Sequence, residues 1–125
     1  MNALNMARQA YANQAAPTRT TRGTEYEVFA KITHRLNAAA RKGKLGFPEL
    51  ASAIHDNRKL WTLLATDVAD DGNGLPDDLR ARIFYLAEFT QVHSRKVLKN
   101  QASAAALIEI NAAMMRGLRS GSVKP

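Results

Sequence analysis

The sequence contains no cysteine, so disulfide bonds and thiolate metal sites are excluded. It also contains no apolar run close to the roughly 20 residues that a membrane-spanning helix needs. Its first residues lack the charged region and the continuous apolar region of a signal peptide. Together these absences predict a soluble cytoplasmic protein that does not insert into a membrane.

Motifs for catalysis and for cofactor binding are missing as well. The three histidines, His34, His55 and His93, fall on different predicted helices, and there is neither an H-E-x-x-H spacing nor a thiol nucleophile. No G-x-x-x-x-G-K or G-x-G-x-x-G loop occurs, so no phosphate-binding loop is predicted. We therefore expect a protein that is not an enzyme and that needs no cofactor.

The segment from Asp67 to Asp78 resembles a calcium-binding EF-hand loop in part. Asp67, Asp71 and Gly72 match its first, fifth and sixth positions. However, Ala69 stands at the third position, and Asp78 replaces the bidentate glutamate that calcium geometry requires at the twelfth. A capped turn between two helices is the better interpretation, and no metal site is predicted.

Positive charge exceeds negative charge, with 18 Lys and Arg against 11 Asp and Glu. Such an excess is typical of nucleic-acid-binding proteins. Most of the basic residues are scattered, and the two clusters are Arg41, Lys42 and Lys44, and Arg95, Lys96 and Lys99. Both clusters fall near predicted helix C-termini, where the helix dipole favours cations. Helix capping therefore accounts for them, and nucleic acid is kept as the alternative partner.

Apolar residues repeat every three or four positions and never alternate for long, which predicts helices and no strands. The chain is long enough to bury one core. We expect an all-α fold in which residues 1–125 form a single domain, a compact bundle of four main helices plus a short N-terminal helix. The main helices are predicted at Thr24 to Lys42, Pro48 to Val68, Pro76 to Lys99 and Ser103 to Leu118.

Capping and helix-breaking residues set these boundaries. The N-terminal helix is predicted near Leu4 to Ala15, and Ala16 to Gly23 reads as a linker because of its proline, glycine and threonines. Thr24 with Glu27 three residues later is typical of a capping box at the start of the next helix. Residues 1–23 are thus predicted as helix and linker, 24–118 as the helical core and 119–125 as a loose tail.

Asn57 lies in the middle of an otherwise apolar stripe, one turn before the only tryptophan, Trp61. The other main helices also have polar residues within their stripes, namely Thr33, Thr90, His93 and Asn111. An unpaired buried amide or hydroxyl costs about 1 to 3 kcal/mol, so these groups need partners. Two arrangements would satisfy them: a polar layer sealed inside the bundle, or an open groove that binds a partner's amphipathic helix.

Five segments form a distinctive combination. They are AYANQA at 10–15, TEYEVFA at 24–30, DNRKLWTLLATD at 56–67, LPDDLRARI at 75–83 and LIEINAAMMRGL at 107–118. In order and spacing, over most of the chain, they resemble the flagellar biosynthesis regulator FlaF family. The resemblance implies a small cytoplasmic helical protein of alphaproteobacterial type that is needed for flagellin to be made and exported.

The resemblance also implies partners. Flagellin is expected as the main partner, with the chain acting as its export chaperone, and the companion regulator FlbT as a second partner. An RNA-binding regulator of the flagellin messenger is the alternative. Flagellin's terminal segments are disordered before assembly and amphipathic when helical, so a groove with apolar anchors would suit them. The predicted partner-binding residues are Tyr26, Phe29, Trp61 and Leu64 as anchors and Asn57, Arg58 and Asn111 as polar contacts, with Trp61 chiefly in the core and Asn57 at the edge of the groove.

Overall fold

The computed structural model describes residues 17–120, with side chains between residues 25 and 118. In this range the chain forms no strand and four α-helices: α1 at Pro17–Arg41, α2 at Phe47–Ala69, α3 at Asp77–Leu98 and α4 at Ala105–Ser120. The predicted all-α bundle of four main helices is therefore confirmed. The predicted N-terminal helix at Leu4 to Ala15 lies outside the described residues. None of the described helices is long and apolar enough to cross a membrane.

The start of α1 differs from the prediction. α1 begins at Pro17 and passes through Gly23 and Thr24 without a break, so the predicted linker and capping box are wrong from residue 17 onward. Proline is favoured in the first turn of a helix, and one interior glycine costs only about 1 kcal/mol relative to alanine. Because adding a turn to an existing helix is much easier than starting one, the packed part of α1 can extend through this glycine.

The other boundaries agree with the prediction to within two residues. The Ser103 hydroxyl accepts a hydrogen bond from the Ala105 N–H at 3.0 Å, which confirms that Ser103 caps α4. α4 continues to Ser120, so residues 119 and 120, predicted as part of a loose tail, are helical, and residues 121–125 lie outside the described residues. α3 ends at Leu98, and the φ of +61° at Asn100 allows the Gln101 N–H to reach the Lys96 carbonyl at 2.8 Å, a Schellman motif.

Two glycines shape the turn from α1 to α2, where a short 3-10 helix runs from Gly43 to Gly46. Gly43 has a φ of +61°, a left-handed conformation that side chains disfavour. Gly46 is needed for space, because a Cβ there would lie 2.3 Å from the backbone oxygen of Ala39. These two positions let α2 fold back closely against the end of α1.

Arg80 closes the turn between α2 and α3. Its Nε donates to the Val68 carbonyl at 2.8 Å, and its Nη2 donates to the Asp70 carbonyl at 2.9 Å. A cation at these last carbonyls is favoured by the dipole of α2. The Asp70 and Asn73 side chains accept from the backbone N–H groups of Gly72 and Leu75. The predicted capped turn is confirmed.

The core lies where α1, α2 and α4 meet and continues between α2 and α3. Its largest fully buried apolar side chains are Phe29, Leu36, Ile54, Trp61 and Leu107. The stripe predicted on α3 consists of Leu79, Ile83, Leu86, Thr90, His93 and Val97. Leu79 and Leu86 pack against the core but are only partly buried, as is His93, while the fully buried positions of α3 are small or β-branched. Its buried residues are Ile83, Ala87, Thr90, Ser94 and Val97. Small side chains there allow α3 to approach α2 closely.

Candidate functional site

Three side chains form a hydrogen-bonded chain across the inside of the bundle. Trp61 Nε1 donates to Asn111 Oδ1 at 2.9 Å, and Asn111 Nδ2 donates to Asn57 Oδ1 at 2.8 Å. All three residues have no exposed surface, and the Trp61 ring also contacts Phe29 edge to face with centroids 5.8 Å apart. This polar relay, defined by Trp61, Asn111 and Asn57, joins α2 to α4 across the core.

Of the two predicted arrangements, the polar relay matches a polar layer sealed inside the bundle and not an open groove. Phe29, Asn57, Trp61, Leu64 and Asn111 are all buried, so a partner cannot touch them while the bundle is closed. The prediction that Asn57 lies at the edge of a groove is wrong, because Asn111 on α4 covers and bonds its carbonyl. The prediction that Trp61 is chiefly a core residue is confirmed.

The remaining polar residues of the stripes have different roles. The His93 Nε2 lies 2.9 Å from the Ser103 carbonyl, which links α3 to the start of α4. The hydroxyls of Thr33, Thr90 and Ser94 are buried with no hydrogen-bond partner among the described residues. His93 therefore fastens the end of the bundle rather than joining the polar relay.

An open surface does exist, on the outer side of the α2–α3 pair. Two adjoining depressions of about 610 and 440 Å³ lie there, and every residue that lines them belongs to α2 or α3. We call this surface the outer groove. Its floor and walls include Ala51, Ile54, Leu63 and Leu98 in the first depression, and Ala65, Ala69, Phe84 and Ala87 in the second. The groove is mainly apolar and large enough to accept several side chains.

Gln91 divides the outer groove into its two depressions. Its Oε1 accepts from Arg58 Nε at 2.8 Å, and its Nε2 donates to the Thr62 hydroxyl at 3.0 Å and to the Arg58 carbonyl at 3.1 Å. Both ends of the amide are therefore engaged. This Gln91 bridge holds α3 in register with α2 and fixes the position of the Arg58 side chain.

Of the predicted binding residues, Arg58 and Trp61 line the outer groove, and only Arg58 has an exposed part, because Trp61 lies beneath the second depression with no exposed surface. Tyr26 is also partly exposed, but it lies on α1 and not in the groove. The sequence reasoning missed Phe84 and Gln91. A signal for Phe84 was present, because Phe84, Tyr85 and Val92 are apolar residues outside the predicted stripe of α3. Gln91 gave no such signal, since a lone glutamine is ordinary on an exposed helix face.

Charge is distributed unevenly along the groove. The ionisable or basic residues that line the first depression are His55, Arg58 and Lys59, and no acidic residue lines it. Glu88 lines the second depression, toward the aspartate-containing turn between α2 and α3. The nearest acidic residue in sequence, Asp56, instead pairs with Arg35 of α1 at 2.7 Å. One half of the groove is therefore basic and the other is not.

The fold and the surface together define a class of protein: a small all-α bundle with a groove between two of its helices that none of residues 17–120 covers. Comparison with protein families finds a match to the family described as Flagellar protein FlaF, over residues 7–118. This match covers most of the chain, so the protein belongs to the FlaF family, and the resemblance seen in the sequence is confirmed. Searches of curated proteins and of solved structures found no match. The family assigns the chain to flagellar biosynthesis.

Proposed function

We propose that this protein binds flagellin in the cytoplasm and acts as its export chaperone, so that flagellin can be made and secreted. Membership of a flagellar protein family supports this proposal. The observation that carries it is the outer groove, an apolar surface that no described residue covers. Phe84, which lines the groove, is 40% exposed, and Tyr85 and Val92 on the same helix are 65% and 45% exposed. Apolar side chains gathered on one face are typical of a protein-binding surface.

A flagellin segment that is amphipathic when helical fits this surface. It would lie along α2 and α3 and place its apolar side chains in the two depressions, as helices do in hydrophobic grooves. Binding of this kind must be reversible, because the cargo has to be passed to the export apparatus. The Gln91 bridge favours moderate affinity, since it makes part of the contact surface polar.

An RNA-binding regulator is the rival function, and one observation favours it. The basic clusters at the ends of α1 and α3 lie at the same end of the bundle, because Leu98 near the end of α3 and Ala51 near the start of α2 line the same depression. A patch of this kind could contact phosphates. However, the clusters are also placed where they stabilise the helix C-termini, with Arg41, Arg95 and Lys96 in last turns. FlbT is a further possible partner under this proposal, and the same binding assay can include it.

The first prediction separates the two functions by their response to salt. We expect the purified protein to retain flagellin at both low and moderate salt, because apolar burial is only weakly screened. RNA binding releases counterions from phosphates, so affinity for the flagellin messenger leader should fall steeply over the same range. The measurement is a pull-down with purified flagellin and with the leader RNA at two salt concentrations. Retention of RNA without flagellin would contradict the proposal.

A further inference from the structure

The basic half of the outer groove has a geometry suited to carboxylates. We propose that the groove takes an amphipathic helix whose acidic residues pair with Arg58 and Lys59. This inference rests on the proposed function and adds to it the chemistry of the segment that is bound. Its basis is the coincidence of an apolar floor with basic residues on one side, without an acidic residue lining that depression.

Arg58 is held ready for such a contact. Its Nε is engaged by Gln91 at 2.8 Å, which fixes the plane of the guanidinium. Its two terminal nitrogens have no hydrogen-bond partner within the described part of the chain. A planar guanidinium with free N–H groups is well matched to a carboxylate, and little side-chain freedom remains to be lost on binding. Arg58 is therefore the residue best placed to select an acidic partner.

The spacing along α2 extends this preference over two helical turns. His55, Arg58, Lys59 and Thr62 all line the first depression and stand at positions i, i+3, i+4 and i+7, so they share one face of α2. This row is about 10 Å long at 1.5 Å per residue. A partner helix lying along it would meet the row with acidic residues that are themselves three or four positions apart. Its apolar residues would face Leu63 and Leu98.

The second depression gives the bound helix a direction. Glu88 lies there, and the exposed Asp70, Asp71, Asp77 and Asp78 lie at or beside the turn at that end of the α2–α3 pair. A helix with acidic residues over Arg58 and with neutral or basic residues over Glu88 matches both halves. The reverse orientation would bring like charges together, which is unfavourable. The groove thus distinguishes one orientation of its partner from the other.

Two synthetic peptides provide the probe. Each is about 18 residues long, or five helical turns, with the same leucine face. The polar face carries glutamates in one peptide and lysines in the other. Fluorescence anisotropy with the full-length protein should show that the glutamate peptide binds at least about tenfold more tightly, because the lysine peptide meets like charges at Arg58 and Lys59.

The test variant is Lys59→Glu, and the matched control is Lys31→Glu on α1. Both lysines are exposed, neither makes a side-chain hydrogen bond or ion pair within the described residues, and both changes alter the net charge equally. Lys59→Glu should weaken binding of the glutamate peptide about five- to tenfold and strengthen binding of the lysine peptide. Lys31→Glu should change either affinity by less than about twofold, because screening limits the effect of a charge on another face. Unchanged melting temperatures would show that both variants fold.

The outcomes distinguish this inference from the proposed function. Equal losses of affinity for the glutamate peptide in Lys59→Glu and Lys31→Glu would overturn the acidic-helix assignment. Equal affinity of the wild type for the two peptides would also overturn it. If an RNA oligonucleotide displaces the glutamate peptide from the wild type and from Lys31→Glu but not from Lys59→Glu, that result would overturn the assignment in favour of a nucleic-acid-binding groove. Flagellin that binds the wild type and both variants equally would refute the groove assignment and leave the proposed function standing. Failure of flagellin to bind any of them, with the expected peptide pattern, would refute the proposed function alone.

Discussion

Replacing Trp61 by alanine is expected to lower the free energy of unfolding by about 3 to 5 kcal/mol. Trp61 has no exposed surface, contacts the Phe29 ring at 5.8 Å and donates to Asn111 at 2.9 Å. The substitution removes the largest side chain of the core and leaves the Asn111 carbonyl without its donor. Urea unfolding followed by circular dichroism measures the loss. Domains are typically stable by about 5 to 15 kcal/mol, so this loss is a large fraction of the total.

Two controls show whether this loss comes from burial. Trp61→Phe keeps a ring in the core but removes the indole N–H, and it should cost less than the alanine variant. Tyr85→Ala removes an aromatic side chain that is 65% exposed, and it should change stability by less than about 0.5 kcal/mol. A loss for Trp61→Ala no larger than that for Tyr85→Ala would contradict the placement of Trp61 in the core.

Asn111→Ala is expected to be nearly as damaging, with a loss of about 2 to 5 kcal/mol. Asn111 makes two buried hydrogen bonds, one from Trp61 and one to Asn57, and its removal leaves both partners unsatisfied. Each unsatisfied buried group costs about 1 to 3 kcal/mol. Asn57→Ala breaks only one of these bonds, so its loss should be smaller, about 1 to 3 kcal/mol. The loss of stability for Asn57→Leu should be no smaller than that for Asn57→Ala, unless packing of the leucine side chain compensates.

A double-mutant cycle tests whether the two asparagines act as a unit. The Asn57→Ala and Asn111→Ala double variant should lose less than the sum of the single losses, because the second change removes a group that the first had already left unpaired. Urea unfolding of the four proteins supplies the four free energies. Strict additivity, or a larger loss for Asn57→Ala than for Asn111→Ala, would contradict the polar relay.

The helices could be predicted from the sequence because local chemistry determines their ends. Pro48 marks the start of α2, the Asp70 to Gly74 turn marks its end, and Ser103 caps α4 with its hydroxyl. The start of α1 could not be predicted in the same way. Threonine and glycine are weak helix formers but do not forbid a helix, so propensity alone gave a linker where the chain continues α1.

The residues of the polar relay could be predicted from the sequence, but the hydrogen bonds between them could not. The periodicity identified Asn57, Trp61 and Asn111 as members of apolar stripes. Asn111 and Asn57 are 54 positions apart, and nothing in the period of a helix says which other helix it faces. The outer groove is harder still to predict, because it depends on α2 and α3 packing side by side with no other part of residues 17–120 over them. Arg58 was predicted from a family resemblance, and its bond to Gln91 was not.

The separation of interior from groove has a functional consequence. The residues that stabilise the bundle, Trp61, Asn57 and Asn111, are not those that a partner can reach while it is closed. Variants of the polar relay should therefore change the amount of folded protein more than the affinity of each folded molecule. Variants of Arg58 and Lys59 should change the affinity of each folded molecule more than the amount of folded protein, since these residues lie at the surface of the groove.

Site-specific cross-linking tests most directly the claim that flagellin binds across the outer groove of the closed bundle. The chain has no cysteine, so a single introduced cysteine carries the photo-reactive label at one known position. Thr66→Cys places it in the second depression, and Ala113→Cys places it on the exposed face of α4, away from the groove. The account predicts that labelled Thr66→Cys cross-links to flagellin and that labelled Ala113→Cys does not. Cross-linking from Ala113→Cys alone, or equally from both positions, would contradict it.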